Sequence, residues 1–168
     1  MDNEFSRIVD IAKISPKGLR LKETASADEC AALTKRFDIR AVKSFTMQLE
    51  VSPWRKKGLR AVGQATAEIE QICGVTLDPM QSRIEEPLDI FLLPEHMTQP
   101  VEDDENLDMP DSLVDGKADL GEIAVQCLSL AIDPYPRSQA APLEHIESRE
   151  VEDNPFAALK QLQEKPKD

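Results

Sequence analysis

An α+β fold, in which a curved antiparallel sheet is covered by two main helices, is predicted by three features of the sequence. Phe45, Met47, Leu49 and Val51 alternate with Thr46, Gln48 and Glu50, the period of two shown by a strand with one buried face. Ser26-Ala27-Asp28-Glu29 fits a capping box, in which Ser26 accepts from the third helical amide while Glu29 reaches back to the Ser26 amide. Asp119, with Glu122 three residues on, precedes a helical stripe of Leu120, Ile123, Ala124, Cys127, Leu128 and Ala131 that Pro134 ends.

The remaining elements follow in order. Residues 5–10 alternate in an extended style (Phe5, Arg7, Val9), and Leu19-Arg20-Leu21-Lys22 alternates again after the Pro16-Lys17-Gly18 turn, so two short strands are expected. The capping box opens a helix through about Phe37, with Cys30, Leu33 and Phe37 facing inward. After the strand over residues 44–51, Pro53-Trp54-Arg55-Lys56-Lys57-Gly58 forms a turn. A long strand over residues 59–73 follows, with Ala67, Ile69 and Ile72 apolar and Gly63 a bulge or close-approach point. Residues 84–93 read as a further strand, in which Pro87 favours an edge or a bulge.

Residues 95–119 carry nine acidic residues against Lys117 alone, with little periodicity and two prolines. Such a stretch buries too little surface to offset its ordering entropy and is expected to form a mobile acidic loop over about residues 95–118. The sequence therefore divides into a single domain over residues 1–136 and a polar, flexible tether over residues 137–168. In the tether Asn154-Pro155 starts a short helix with Phe156, Leu159 and Leu162 on one side, a candidate docking motif for a partner.

Several chemistries lack their sequence signatures. His96 lies in the acidic stretch and His145 in the tail, neither paired by pattern with a nucleophile, and no catalytic residue is assigned. There is no glycine-rich phosphate loop, no C-x₂-C and no H-x₃₋₅-H pair, so neither a metal nor a cofactor is expected, and no small-molecule substrate. Cys30, Cys73 and Cys127, odd in number and set among apolar neighbours, read as reduced, buried small side chains. No window is long and apolar enough for a membrane span or a signal peptide, so a cytoplasmic, non-enzymatic protein is expected.

The net charge of −12 argues against nucleic acid on average, but the charge is polarised. Residues 1–60 hold 13 Lys and Arg against 8 Asp and Glu, net +5, while residues 61–168 hold 7 against 24, net −17. Trp54, Arg55, Lys56 and Lys57, with Arg60, place an aromatic among cations at a hairpin tip. Two readings stand there: a ring that stacks on an RNA base while the cations meet phosphates, or a Trp folded back onto the sheet among solvating cations. Lys35, Arg36, Arg40 and Lys43 extend the same basic face or complement the helix dipole.

Several segments resemble the YceD family of bacterial large ribosomal RNA subunit accumulation proteins. They are Cys73-Gly74-Val75-Thr76-Leu77-Asp78-Pro79 after a long strand, the acidic stretch, Ala118-Asp119-Leu120-Gly121-Glu122-Ile123 running into Ala131-Ile132-Asp133-Pro134-Tyr135-Pro136, and the terminal Asn154-Pro155-Phe156-Ala157-Ala158-Leu159. The similarity extends over about residues 5–136. Many members carry C-x-R-C-L-x-P at the first of these, where this chain has Val75 for the arginine and Thr76 for the second cysteine. The resemblance implies a ribosome-biogenesis factor that supports accumulation or processing of 23S ribosomal RNA, with ribosomal RNA or a large-subunit precursor as partner. The alternative is an adaptor that engages a basic ribosomal protein through the acidic loop and the terminal Phe156, Leu159 and Leu162.

Overall fold

The computed structural model describes residues 3–55, 57–94, 97 and 111–138. In chain order the elements are β1 (Ile8–Asp10), a 3-10 turn (Ile11–Lys13), β2 (Leu19–Thr24), α1 (Ala27–Phe37), β3 (Ala41–Trp54), β4 (Gly58–Ile72), β5 (Pro79–Pro94), β6 (Asp111–Leu113), β7 (Lys117–Asp119) and α2 (Leu120–Ala131). Strands β2 to β6 form one five-stranded sheet in sequence order, and β1 pairs with β7 in a separate antiparallel ribbon. The fold is α+β, as expected, with two departures. The sheet is mixed, because β6 runs parallel to the end of β5, and β6 and β7 fall inside the stretch expected to be loop. Strands of three residues are too short to show a period, which is why composition alone hides them.

The register across β3, β4 and β5 explains the curvature. Inward-facing Phe45, Met47, Leu49 and Val51 on β3 stand opposite Ala67, Ala65, Gly63 and Ala61 on β4, and these in turn face Ile84, Glu86, Leu88 and Ile90 on β5. Large flanks with a small centre let the outer strands bend toward each other over the core. At Gly63 the approach is closest: a Cβ there would lie 1.9 Å from the Gln48 carbonyl oxygen, so the residue marks a close approach rather than a bulge. The register instead slips between Val42 and Ser44 near the start of β3. Among the described residues Pro87 sits on β5 where that strand has no outer neighbour, since β6 pairs only with residues 92–94. Of the apolar residues of this strand, Ile72 lies on the opposite parity to buried Ile69 and Gln71 and is exposed.

Both helices cover the inner face, α1 against β3 and α2 against β5 and β4. The capping box forms as expected, with Glu29 N–H donating to Ser26 Oγ (3.2 Å) and Ser26 N–H to Glu29 Oε2 (2.7 Å). Asp38, in the left-handed conformation, ends the helix. Helix α2 turns Gly121 and Val125 inward beside Leu120, Ala124 and Leu128, a stripe rotated slightly from the expected one; Ile123 and Cys127 are half-buried at its margin. Gly121 lets this helix touch the N-terminal segment, where a Cβ would meet the Phe5 carbonyl oxygen at 2.4 Å. Phe5 itself is fully buried, edge-to-face with Phe45 at 4.9 Å.

Polar clamps hold these layers together. Asp119 caps α2 through the Glu122 N–H (3.2 Å) and also accepts from Arg7 N–H (2.7 Å), Ser6 Oγ (2.6 Å) and Asn3 Nδ2 (3.0 Å). Arg7 donates to Glu23 and Glu29 while its guanidinium lies 4.0 Å over the Phe5 ring. Apart from the cap on Glu122 and the ring contact with Phe5, each pairs groups more than ten residues apart, so they join the N-terminal segment to β2, α1 and α2.

The steric argument at Gly63 has a direct test. Gly63→Ala forces a methyl into the Gln48 carbonyl and is expected to destabilise the protein by about 2 kcal/mol or more, by analogy with overpacked cores. Urea unfolding should show a lower midpoint with unchanged slope. Wild-type stability in this variant would mean that the strands do not approach as closely as described.

Candidate nucleic-acid interface

The outer face of the sheet is uncovered among the described residues: Gln48, Glu50 and Ser52 of β3, Val62 and Gln64 of β4, and Arg83, Glu85 and Asp89 of β5 are all exposed. At one end of this face β3 turns into β4, with Trp54 paired to Gly58. Arg55 occupies the left-handed region (φ 50°), a backbone state that a side-chain-bearing residue adopts at a cost of order 1 kcal/mol. Lys57 is exposed, and Lys56 lies outside the described residues.

The tip brings together residues that lie far apart in sequence. The Trp54 ring packs on Phe91 of β5, centroids 4.8 Å apart and planes inclined by 60°. The Arg55 guanidinium lies 4.4 Å from the Trp54 centroid, and that of Arg60 lies 4.9 Å from the Phe91 centroid. Arg60 is held by a bidentate pair, Nε and Nη2 each donating to Asp89 at 2.7 Å. These hydrogen bonds lower the Asp89 carboxyl and raise the Arg60 guanidinium from their ordinary values. Trp54 is half-buried, so it neither projects freely nor disappears into the sheet. The result is an aromatic pair with a cation on each ring, one of them fixed in direction.

Phe91 and Asp89 were missed by the sequence reading. Their period-2 spacing, opposite in parity to buried Leu88, Ile90 and Leu92, was a signal that they point outward. What joined Phe91 to Trp54 was the register of two hairpins, Arg60 opposite Phe91, which a single sequence does not reveal. Also on this face, Arg20 and Lys22 of β2 flank a shallow groove of about 580 Å³ lined by Gln48, Val62 and Gln64, with Arg20 paired to Glu50 at 2.9 Å.

The second group of cations does not extend this surface. Arg36 donates to both oxygens of Glu122 (2.6 and 2.8 Å) and to Glu4 (2.7 Å), tying α1 to α2 and the N-terminal segment. Arg40 and Lys43 both engage Glu70, with Lys43 Nζ at 3.2 Å. They sit near the start of β3, on the order of 40 Å of extended strand from the tip. Lys35 is exposed on α1, the layer covering the opposite face of the sheet. Pairing within the fold accounts for three of these four cations.

The stretch from Cys73 to Pro79 forms the β4–β5 turn, at the opposite end of β4 from the tip. Gly74 N–H donates to the Pro136 carbonyl (2.9 Å), and Cys73 Sγ accepts from the Thr76 (3.5 Å) and Ser138 (3.3 Å) amides. Those donors, Ser138 foremost, bring the Cys73 thiol down to about 6, while burial opposes them. Burial is the main influence on Cys30 and Cys127 and raises both. Among the described residues no three His, Cys, Asp or Glu converge as a metal site. His96, His145, most of the acidic stretch and the Phe156, Leu159 and Leu162 stripe lie outside them.

A family model described as large ribosomal RNA subunit accumulation protein YceD matches residues 61–163. The chain belongs to the YceD family. No curated protein and no solved structure matches it. The YceD match contains Phe91, Asp89, the Cys73 turn and α2, and it begins just after Arg60. The case for the tip therefore rests on the geometry of this chain. No described helix is long and apolar enough to cross a membrane.

The contrast between tip and clamp cations predicts separable mutants. Arg36→Gln removes charge-assisted bonds to two partly buried carboxylates and is expected to cost about 1–2 kcal/mol of stability at neutral pH with RNA affinity unchanged. The Arg36 bonds hold Glu122 below its ordinary 4.5, so their contribution is present above that pH and is lost as pH falls through the lower folded value. Stability of the variant should consequently fall less steeply below pH 4.5 than that of wild type, as measured by urea unfolding at several pH values. A variant of wild-type stability, or one that loses RNA binding while folded, would contradict this division.

Proposed function

We propose that this chain is a non-enzymatic ribosome-biogenesis factor of the cytoplasm that supports accumulation of large-subunit ribosomal RNA by binding that RNA, or a precursor particle, through the tip of the β3–β4 hairpin. The observation that carries the reading is the Trp54–Phe91 pair with Arg55 and Arg60 on its rings. Membership in the YceD family supports the class of RNA. An aromatic face accepts an unpaired base, worth about 1–3 kcal/mol per stacked base, and neighbouring cations neutralise phosphates. The overall charge of −12 does not prevent this, because exposed charges beyond about 8–10 Å are largely screened at physiological salt. Asp89 occupies the Nε and Nη2 edge of Arg60 and so fixes the guanidinium plane beside the Phe91 ring, while the phosphate contacts fall to Arg55, Lys56 and Lys57. No metal or cofactor enters this reading.

The test reverses charge at the tip while sparing the apolar faces of the strands. Arg55→Glu, Lys56→Glu and Lys57→Glu in one chain should weaken binding to a large-subunit RNA fragment by about tenfold or more. The salt slope should flatten by about two, as expected from the loss of up to three phosphate contacts at about 0.7 each on a single strand. The urea midpoint should stay at its wild-type value. Unchanged affinity and salt slope in the folded triple mutant would remove the tip from RNA recognition.

A further inference from the structure

The hairpin tip is continuous with a row of cations along one edge of the outer face. β2 forms that edge, and its outward side chains Arg20 and Lys22 stand opposite Glu50 and Gln48 of β3, which stand in turn opposite Val62 and Gln64 of β4. These six side chains line the shallow groove on this face. Gly18, in the left-handed region (φ 85°) against the Val51 carbonyl, turns the chain into β2, so Lys17 lies at the end of the edge nearest the β3–β4 turn. Lys17, Arg20 and Lys22 are all exposed. Nearby carboxylates do not cancel them. Of the two on β2 and β3, Glu23 is held by Arg7, and Glu50 pairs with Arg20 where the side chains are 69% and 87% exposed, an interaction worth little in water. The β5 side differs, turning Glu85 and Asp89 outward.

We infer that large-subunit RNA occupies this face as a single strand, its bases running from the Trp54–Phe91 pair to Gln48 and Gln64 while its phosphates follow Lys17, Arg20 and Lys22. The inference rests on the reading that this RNA meets the tip. Trp54 lies six residues of strand from Gln48, about 20 Å, the length of about six stacked nucleotides. A duplex closes its base faces inside the stack, so it could engage the cations but not the rings. An acidic polypeptide matches the cations but supplies no planar bases for the aromatic pair at the end of their row. Each glutamine amide offers an acceptor and two donors, the complement of an unpaired base edge. Phosphate contacts therefore supply salt-dependent affinity, and the two glutamines add contacts to the bases. The outward carboxylates of β5 repel the backbone from the other side and keep the path on β2.

The test is fluorescence anisotropy of a labelled single-stranded RNA dodecamer with the full-length protein. Lys17→Gln, Arg20→Gln and Lys22→Gln in one chain should weaken binding about tenfold or more and flatten the salt slope by about two. An equal loss of charge off the path, Lys35→Gln, Arg83→Gln and Lys117→Gln, should change affinity by less than about threefold. Gln48→Ala with Gln64→Ala should weaken binding about fivefold or more with the salt slope unchanged. All these positions are exposed, so urea midpoints should stay at the wild-type value. An unchanged affinity in the β2 or the glutamine variant would overturn the path, as would an equal fall in the control variant. So would equal binding of a duplex of the same length, or equal displacement of the labelled RNA by oligoglutamate and by unlabelled RNA. Loss of binding on charge reversal at Arg55, Lys56 and Lys57 with none in the β2 variant confines the RNA to the tip and overturns this inference alone. No loss in the tip variant removes the tip reading, and the path that starts there falls with it.

Discussion

The inner face of β4 carries Ala61, Gly63, Ala65 and Ala67 in succession, and much of the structure depends on how little space they occupy. Because β3 and β5 put large side chains on both flanks of this narrow row, the sheet closes over its own core, and both helices pack on the same side. Among the described residues the outer face is thereby left without a covering layer. The register of the two hairpins brings the end of β5 beside the β3–β4 turn, so that Phe91 meets Trp54. A larger residue at Gly63 would press on the Gln48 carbonyl and disturb the β3–β4 pairing on which the tip depends.

Local signals served well where one short segment determines its own structure. The alternation in residues 44–51 identified the buried set of β3, and the Ser26 capping box and the Asp119 cap marked where α1 and α2 begin. They failed where structure depends on distant partners. β1 pairs with β7 across more than a hundred residues, and β6 exists because it lies along residues 92–94 of β5. The site shows the same division. Trp54, Arg55 and Arg60 were recognisable as an aromatic among cations, whereas Phe91 and Asp89 entered only with the register, and Arg36, Arg40 and Lys43 changed meaning once their carboxylate partners were known.

The two sides of the molecule differ in the side chains they expose. The outer face ends in arginines on aromatic rings, and the ribbon side bears aliphatic side chains among carboxylates. The low aromatic content, 4% of the chain, makes the pairing of Trp54 and Phe91 on an uncovered face the more telling, since aromatic side chains are ordinarily spent on the core.

The central claim is that large-subunit RNA meets the protein at this aromatic pair. Ultraviolet crosslinking of the full-length protein to large-subunit precursor RNA, with the modified peptides identified by mass spectrometry, tests it most directly. The account predicts crosslinks at Trp54, Phe91 and the residues beside them. Crosslinks confined to α1 or to the Cys73 turn, or RNA-bound particles that yield none at the tip, would contradict it.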